Sequence, residues 1–228
     1  MMKSKELRKK AWASLKGNYW ASLGTIIVMG LICSIGNAFV SFSQNLSETL
    51  GLVDPAEMDS VMVTGALVLS GTVIITAIVG LLISMFVESA AEVGLANYFI
   101  KNTDSKPSLK DAFSGFKIKY GRNIGTLLLA GIKLVLWSLL FVIPGIIKSY
   151  EYAIIPYILA DNAEISSKEA FKKAKEMMKG NKWRLFKLNF SFIGWILLSF
   201  LTLGLGVFFL IPYISAANAE FYVELKNK

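Results

Sequence analysis

Histidine is absent from the 228 residues, and cysteine occurs once, at Cys33. Together these absences exclude a Cys/His zinc site, a disulfide, a haem axial histidine, a Ser-His or Cys-His nucleophile pair and a thioredoxin-type CxxC. Charge is also scarce, at 18% of residues against 54% hydrophobic, whereas a soluble domain carries about 25% charged residues. The mean hydropathy is +0.55, and the uncharged runs at 17–47 and 188–219 each exceed 30 residues. This is the composition of a membrane protein. No phosphate-binding glycine loop, metal-carboxylate cluster or nucleophile motif is present, and nothing supports a Ser-Lys hydrolase. An enzyme, a cofactor and a metal are therefore not expected.

What the chain does hold is apolar length. A helix crosses the hydrocarbon core with roughly 20 residues. The uncharged runs 17–47 and 60–87 suit one span each, and 188–219 is long enough for two short ones turning at Gly204-Leu205-Gly206. The run 123–147, interrupted only by Lys133, and the run 152–160 read as another hairpin turning at Pro144-Gly145. Six spans follow.

The charges test this count. Of 24 Lys and Arg residues, six precede Gly17, six lie in 101–122, eight in 168–187 and two at the C-terminus, while 48–59 contains four acids and no base. With six spans these four basic groups fall on one side and the acidic segment on the other, so the positive-inside rule puts both termini in the cytoplasm. The net charge of +8 then reflects topology and contact with the membrane surface, and nucleic acid is not an expected partner. The first apolar run is long enough to stay as a signal anchor. A sequon, Asn45-Leu46-Ser47, lies in the expected outer loop.

Comparing the chain with itself reveals a repeat. Residues 4–20 align without gaps to 167–183 with ten of 17 identical, through Lys16-Gly17-Asn18 and Lys179-Gly180-Asn181. Ser108-Leu109-Lys110-Asp111-Ala112-Phe113 parallels 166–171, and IPYILADNAE at 155–164 matches IPYISAANAE at 211–220 in eight of ten positions. The unit is an amphipathic helix followed by a transmembrane hairpin, present at about 4–100, 108–165 and 166–228 of a single membrane domain. Each unit starts on the same side, so the repeats are parallel and relate by an axis along the membrane normal. The expected fold class is all-α integral membrane, six transmembrane helices as three such repeats, in a pseudo-threefold bundle.

Apolar residues recur at helical spacing in Leu109, Ala112, Phe113 and Phe116, and nearly so in Ala170, Phe171, Ala174 and Met178. Ser108 with Asp111 and Ser166 with Glu169 have capping-box spacing. Such helices, with Lys9, Lys10, Lys172, Lys173 and Lys175 around them, should lie along the inner leaflet, drawn to anionic lipid by roughly 1 kcal/mol per nearby base. They either anchor the bundle or dock a partner. Lys133 sits roughly 16 Å from the Pro144 turn, near mid-bilayer, where a lysine is expensive and needs a partner. Glu151 is the nearest acid in depth and Lys148 competes for it, so Lys133 belongs to a structural ion pair, lines a ligand or ion pathway, or simply snorkels toward the interface. Pro156 and Pro212 occupy equivalent places, each followed six residues later by Asn162 or Asn218. They mark kinks that let hairpins pack, or broken helices lining a site. Trp20, Trp183 and Tyr120 read as interfacial anchors, and Glu88, Glu92, Glu164 and Glu220 recur at the same ends of returning helices.

The runs IPGIIKSYEYAIIPYILADN (143–162), KGNKWRLF (179–186) and IPYISAANAEFY (211–222) resemble the hallmark segments of an uncharacterised family of bacterial multi-pass membrane proteins, domain of unknown function 975. The resemblance runs along essentially the whole chain and implies an integral plasma-membrane protein with no known activity. More distantly, the three-hairpin layout is similar to the membrane domain of some glycerophosphodiester phosphodiesterases, although no catalytic domain follows here. The leading expectation is a non-enzymatic protein that binds lipid, or a membrane partner or second copy of itself, through its basic helices. The alternative is a small transporter or channel with Lys133 and Glu151 in the pathway. Self-protection against membrane-active peptides fits the size and class without any residue to carry it.

Overall fold

The computed structural model describes residues 2–51, 60–202 and 204–228, and among these it contains helices and no strand. In chain order the helices are α1 (Ser4–Leu15), α2 (Tyr19–Gly51), α3 (Ser60–Lys101), α4 (Leu109–Ala112), α5 (Ser114–Lys117), α6 (Tyr120–Leu140), α7 (Val142–Tyr152), α8 (Ile155–Asp161), α9 (Ser167–Met178), α10 (Lys182–Phe190), α11 (Ile193–Phe200) and α12 (Leu205–Lys226). Two compact units emerge: Gly30–Glu88, which holds parts of α2 and α3, and Met1–Met29 with Ser89–Lys228, which holds everything else. The former exposes apolar side chains such as Leu31, Phe42, Ile75 and Leu81 along its helices. Residues 52–59 of the acidic segment lie outside the described residues, whereas the sequon Asn45-Leu46-Ser47, expected in a loop, falls within α2.

Among the described residues, three stretches are long and apolar enough to cross a membrane: Ser70–Lys101, Tyr120–Leu140 and Leu205–Lys226. A fourth is reached if α1 and Tyr19–Ile35, which meet at 91°, count as one broken span. The six spans read from the sequence are thus matched only in part. The reason is visible in the elements: α7, α8, α10 and α11 have 11, 7, 9 and 8 residues, below the roughly 20 a crossing needs.

Both tight hairpins of the larger unit close in the same way. In α6–α7 the chain reverses at Phe141, so Pro144 falls in the first turn of α7 and not in the turn itself; a proline costs nothing there, since that N–H would have no helical acceptor. In α11–α12 the reversal ends on Gly204, at φ 85°, a conformation glycine adopts without a Cβ clash. Each returning helix then presses a glycine onto a serine seven residues back. A Cβ on Gly145 would sit 3.0 Å from the Ser138 Cα, and one on Gly206 would sit 3.0 Å from the Ser199 Cα.

α1 and α9 form where the sequence repeat and periodicity put them, whereas the middle stretch, expected as one helix, breaks at Phe113 into the four-residue α4 and α5 and leaves Leu109 exposed. Capping boxes close the starts of α4 and α9, with Asp111 reaching back to the Ser108 N–H (2.7 Å) and Glu169 to the Ser166 N–H (3.0 Å). α1 and α9 each end before a glycine at positive φ, Gly17 (84°) and Gly180 (75°), the conserved element of the Lys-Gly-Asn match within this chain. Left-handed Lys119 (47°) stands in the same place before α6.

These helices bury their apolar stripes in protein. Leu7, Ala11 and Leu15 of α1 and the aligned Ala170, Ala174 and Met178 of α9 are all essentially inaccessible, as is Ala112 of α4. α4 and α5 pack on the last turns of α3, where Gly94 faces the Ala112 carbonyl and Gly115 faces Ala90. α9 packs on α6, α7 and α8, and α1 packs on α12 and α10. The core consists of the returning helices' ends under these covers: Tyr98 and Phe99, Ile154, Ile155, Ile158 and Leu159, and Ala216, Ala217, Phe221 and Tyr222.

Candidate functional site

Polar groups gather where helices begin and end. The Arg122 guanidinium, at the start of α6, donates to the carbonyls of Leu159, Asn162, Ala163 and Ile165 (2.5–3.2 Å) and so satisfies the C-terminal end of α8, whose last carbonyls have no helical donor. Lys226 pairs with Asp161 at 2.7 Å, and Tyr222 donates to the same carboxylate. Arg184 clamps Glu224 through both carboxylate oxygens (2.8 and 2.9 Å) and also donates to the Met2 carbonyl, while the Met2 N–H donates to Glu224. Asn18, just before α2, donates to Asn102, just after α3. The chain termini and the helix ends flanking α1, α4–α5 and α9 therefore share one end of this unit.

Glu151 is the most buried carboxylate among these charges, and its partners differ from the expected one. It accepts from Lys148 at 2.7 Å and from Lys182, at the start of α10. Lys133 lies elsewhere: its Nζ is 3.9 Å from the ring centre of Phe171 on α9, a cation–π contact. Tyr152 packs edge-on against the same ring. Two cations around one buried carboxylate form a closed electrostatic unit, which rigidifies the α7–α10 contact.

Pro156 follows the break between α7 and α8, whereas Pro212 lies inside the continuous α12. A cavity of about 290 Å³ lies beside the first of them, with Glu92, Phe99, Pro156, Tyr157, Asn189 and Asn218 in its wall. The side-chain oxygens of Asn189 and Asn218 are buried without a hydrogen-bond partner. Lys133, Lys148, Glu151, Asn162 and Pro212 are not in that wall; the Asn162 side chain instead accepts from the Glu164 N–H.

Lys9, Lys10, Lys172 and Lys175 are exposed and Lys173 is half-buried. Beside them Trp12, Trp20 and Trp183 expose more than half of their surface. The groups missed by sequence reasoning are Arg122, Lys182 and Arg184. Their partners lie 31 to 43 residues away, or 182 for Arg184 and the Met2 carbonyl, and no local spacing signals such pairs.

Residues 139–228 match the family described as Protein of unknown function (DUF975), the family that the sequence resembles. No curated protein matches the chain, and no solved structure does. The more distant likeness to the membrane domain of glycerophosphodiester phosphodiesterases finds no support.

Proposed function

We propose that this chain is a non-enzymatic plasma-membrane protein whose three repeats insert helical hairpins from one basic, cytoplasmic face, and whose amphipathic helices bind anionic lipid headgroups there. One observation carries the reading: α1 and α9 spend their apolar stripes on the protein's own core and turn lysines outward beside exposed tryptophans. Lysine and tryptophan side by side suit the headgroup level, where the base meets phosphate and the indole meets the upper acyl chain. The three-repeat description draws support from the paired Ser-to-Gly hairpin closures and from the positive-φ residues before α2, α6 and α10.

A pathway through Lys133 and Glu151 draws none, since Glu151 is held by two lysines and Lys133 by Phe171. The test is native mass spectrometry of gently solubilised protein, wild type beside a Lys172→Gln, Lys173→Gln, Lys175→Gln variant, after exchange into mixed phosphatidylglycerol and phosphatidylcholine. The wild type should retain the anionic lipid preferentially and the variant should lose that preference. Equal retention of both lipids by both proteins overturns the proposal.

A further inference from the structure

We infer that the hairpins α6–α7 and α11–α12 do not cross the bilayer: they enter one leaflet, meet its acyl chains with their tips, and turn back. The inference rests on insertion from the basic face, and its argument is one of depth. α1 lies along α12 from Met2, bonded to Glu224, to Trp12, whose ring packs edge-on against Tyr213. α1 also exposes Lys5, Lys9 and Lys10, and Lys3 is exposed at its N-cap. A helix with that many outward lysines does not enter hydrocarbon, so the stretch of α12 that it covers stays out as well. What remains is 205–212, eight residues and about 12 Å. The same limit appears at Tyr19, the first residue of α2, whose hydroxyl donates to the Phe209 carbonyl at 2.6 Å, four residues from the start of α12.

The α6–α7 hairpin repeats the argument with different residues. α9, exposing Lys168, Lys172 and Lys175, covers α6 from Thr126, bonded to Ser167, to Lys133, seated on Phe171. Beyond Lys133 α6 runs only seven more residues, about 10 Å. The returning leg reaches Lys148 after six residues of α7, and Lys148 shares Glu151 with Lys182, the first residue of α10. Although α6 and α12 in full are long enough to cross, the uncovered tip of neither hairpin approaches the roughly 30 Å of a hydrocarbon core.

Both tips have the surface that this placement requires. Leu139, Leu140, Phe141, Val142 and Ile143 are 64–78% exposed, and Leu201 is 81% exposed. No charge occurs in 134–147 or in 188–219. A tip emerging on the far side would present this apolar surface to water. Set within a leaflet, it meets acyl chains instead.

Cysteine labelling decides the matter. Leu140→Cys and Leu201→Cys are each placed in a Cys33→Ala background, beside Asp54→Cys in the acidic segment read as outer and Lys228→Cys at the C-terminus. In sealed right-side-out vesicles an impermeant maleimide is added outside, then on both sides. Asp54→Cys should label from outside and Lys228→Cys only from inside. The two tips should react at least about tenfold more slowly than either control from both sides, because a thiol in hydrocarbon forms little thiolate. A tip that labels from outside as fast as Asp54→Cys overturns the inference while leaving insertion from the basic face intact. Outside labelling of Lys228→Cys would instead refute that insertion. Slow labelling of all four positions from both sides would contradict the topology altogether.

Discussion

Gly94→Ala is the most incisive single-atom perturbation of the packing described above. α3 meets α4 with backbone against backbone: a Cβ on Gly94 would overlap the Ala112 carbonyl oxygen, with the carbonyl carbon 2.8 Å away. The reverse contact is as close, since a Cβ on Gly115 would sit 2.7 Å from the Gly94 nitrogen. Neither neighbour is a flexible side-chain end, so α4 must move, and with it the bonds that Asn97 makes to the Asp111 carbonyl (3.1 Å) and the Ser114 hydroxyl (3.0 Å). Overpacking of this kind costs about 1–3 kcal/mol, against a gain of roughly 0.5–1 kcal/mol for replacing glycine in a helix. The net loss is about 1–2 kcal/mol, or roughly 2–8 °C in Tm for a chain of this size. Gly121→Ala is the matched control, because that position in α6 has nothing within 4 Å of the added carbon; it should be neutral or slightly stabilising. Thermal unfolding in detergent, followed by circular dichroism, measures both. A Gly94→Ala protein as stable as the Gly121→Ala protein would refute the close α3–α4 contact.

Two further outcomes follow from the ion pairs. Glu151→Leu leaves Lys148 and Lys182, each about a quarter exposed, around a site with no anion. The expected loss is about 3 kcal/mol, at the lower end for a broken buried pair, and part of it should return in Glu151→Leu with Lys182→Met; identical unfolding of the single and double variants would count against the shared carboxylate. At Asp111, burial alone would raise the carboxyl, but the hydrogen bonds from Lys101 and Ser108 outweigh it and hold it below its ordinary value. A carboxyl depressed in the folded state contributes stability that is present above its unfolded pKa, near about 4, and lost as pH falls through the folded value. With Lys101 half exposed the effect should stay under about 1 kcal/mol, and stability of Asp111→Asn relative to wild type should converge in acid; a constant difference across pH would contradict it.

Much of this organisation is legible in the sequence. Lys-Gly-Asn recurs where α1 and α9 break before the next helix begins, and the Ser108–Asp111 and Ser166–Glu169 spacings announce the caps that form. The destination of the apolar stripes is not legible. Leu7-Ala11-Leu15 has the same periodicity whether it faces acyl chains or another helix, and only the fold shows that it faces α12. Hairpin depth is hidden for a related reason: an uncharged run of 32 residues is compatible with two short crossings until a lysine-bearing helix is found along α12 from Tyr213 onward. Lys133 illustrates a third limit. Its place inside an apolar run calls for a partner, but that partner is a ring on a helix 38 residues away, while Glu151 is satisfied by residues on its own turn and on α10.

The central claim is that both ends of the chain stand on the cytoplasmic, lysine-bearing face, where Met2 and Glu224 are bonded to each other. Fusing each terminus in turn to a fluorescent protein that matures only in the cytoplasm, and to a phosphatase active only outside it, measures this directly. The account predicts fluorescence and no phosphatase activity from both ends; phosphatase activity from either end would contradict it.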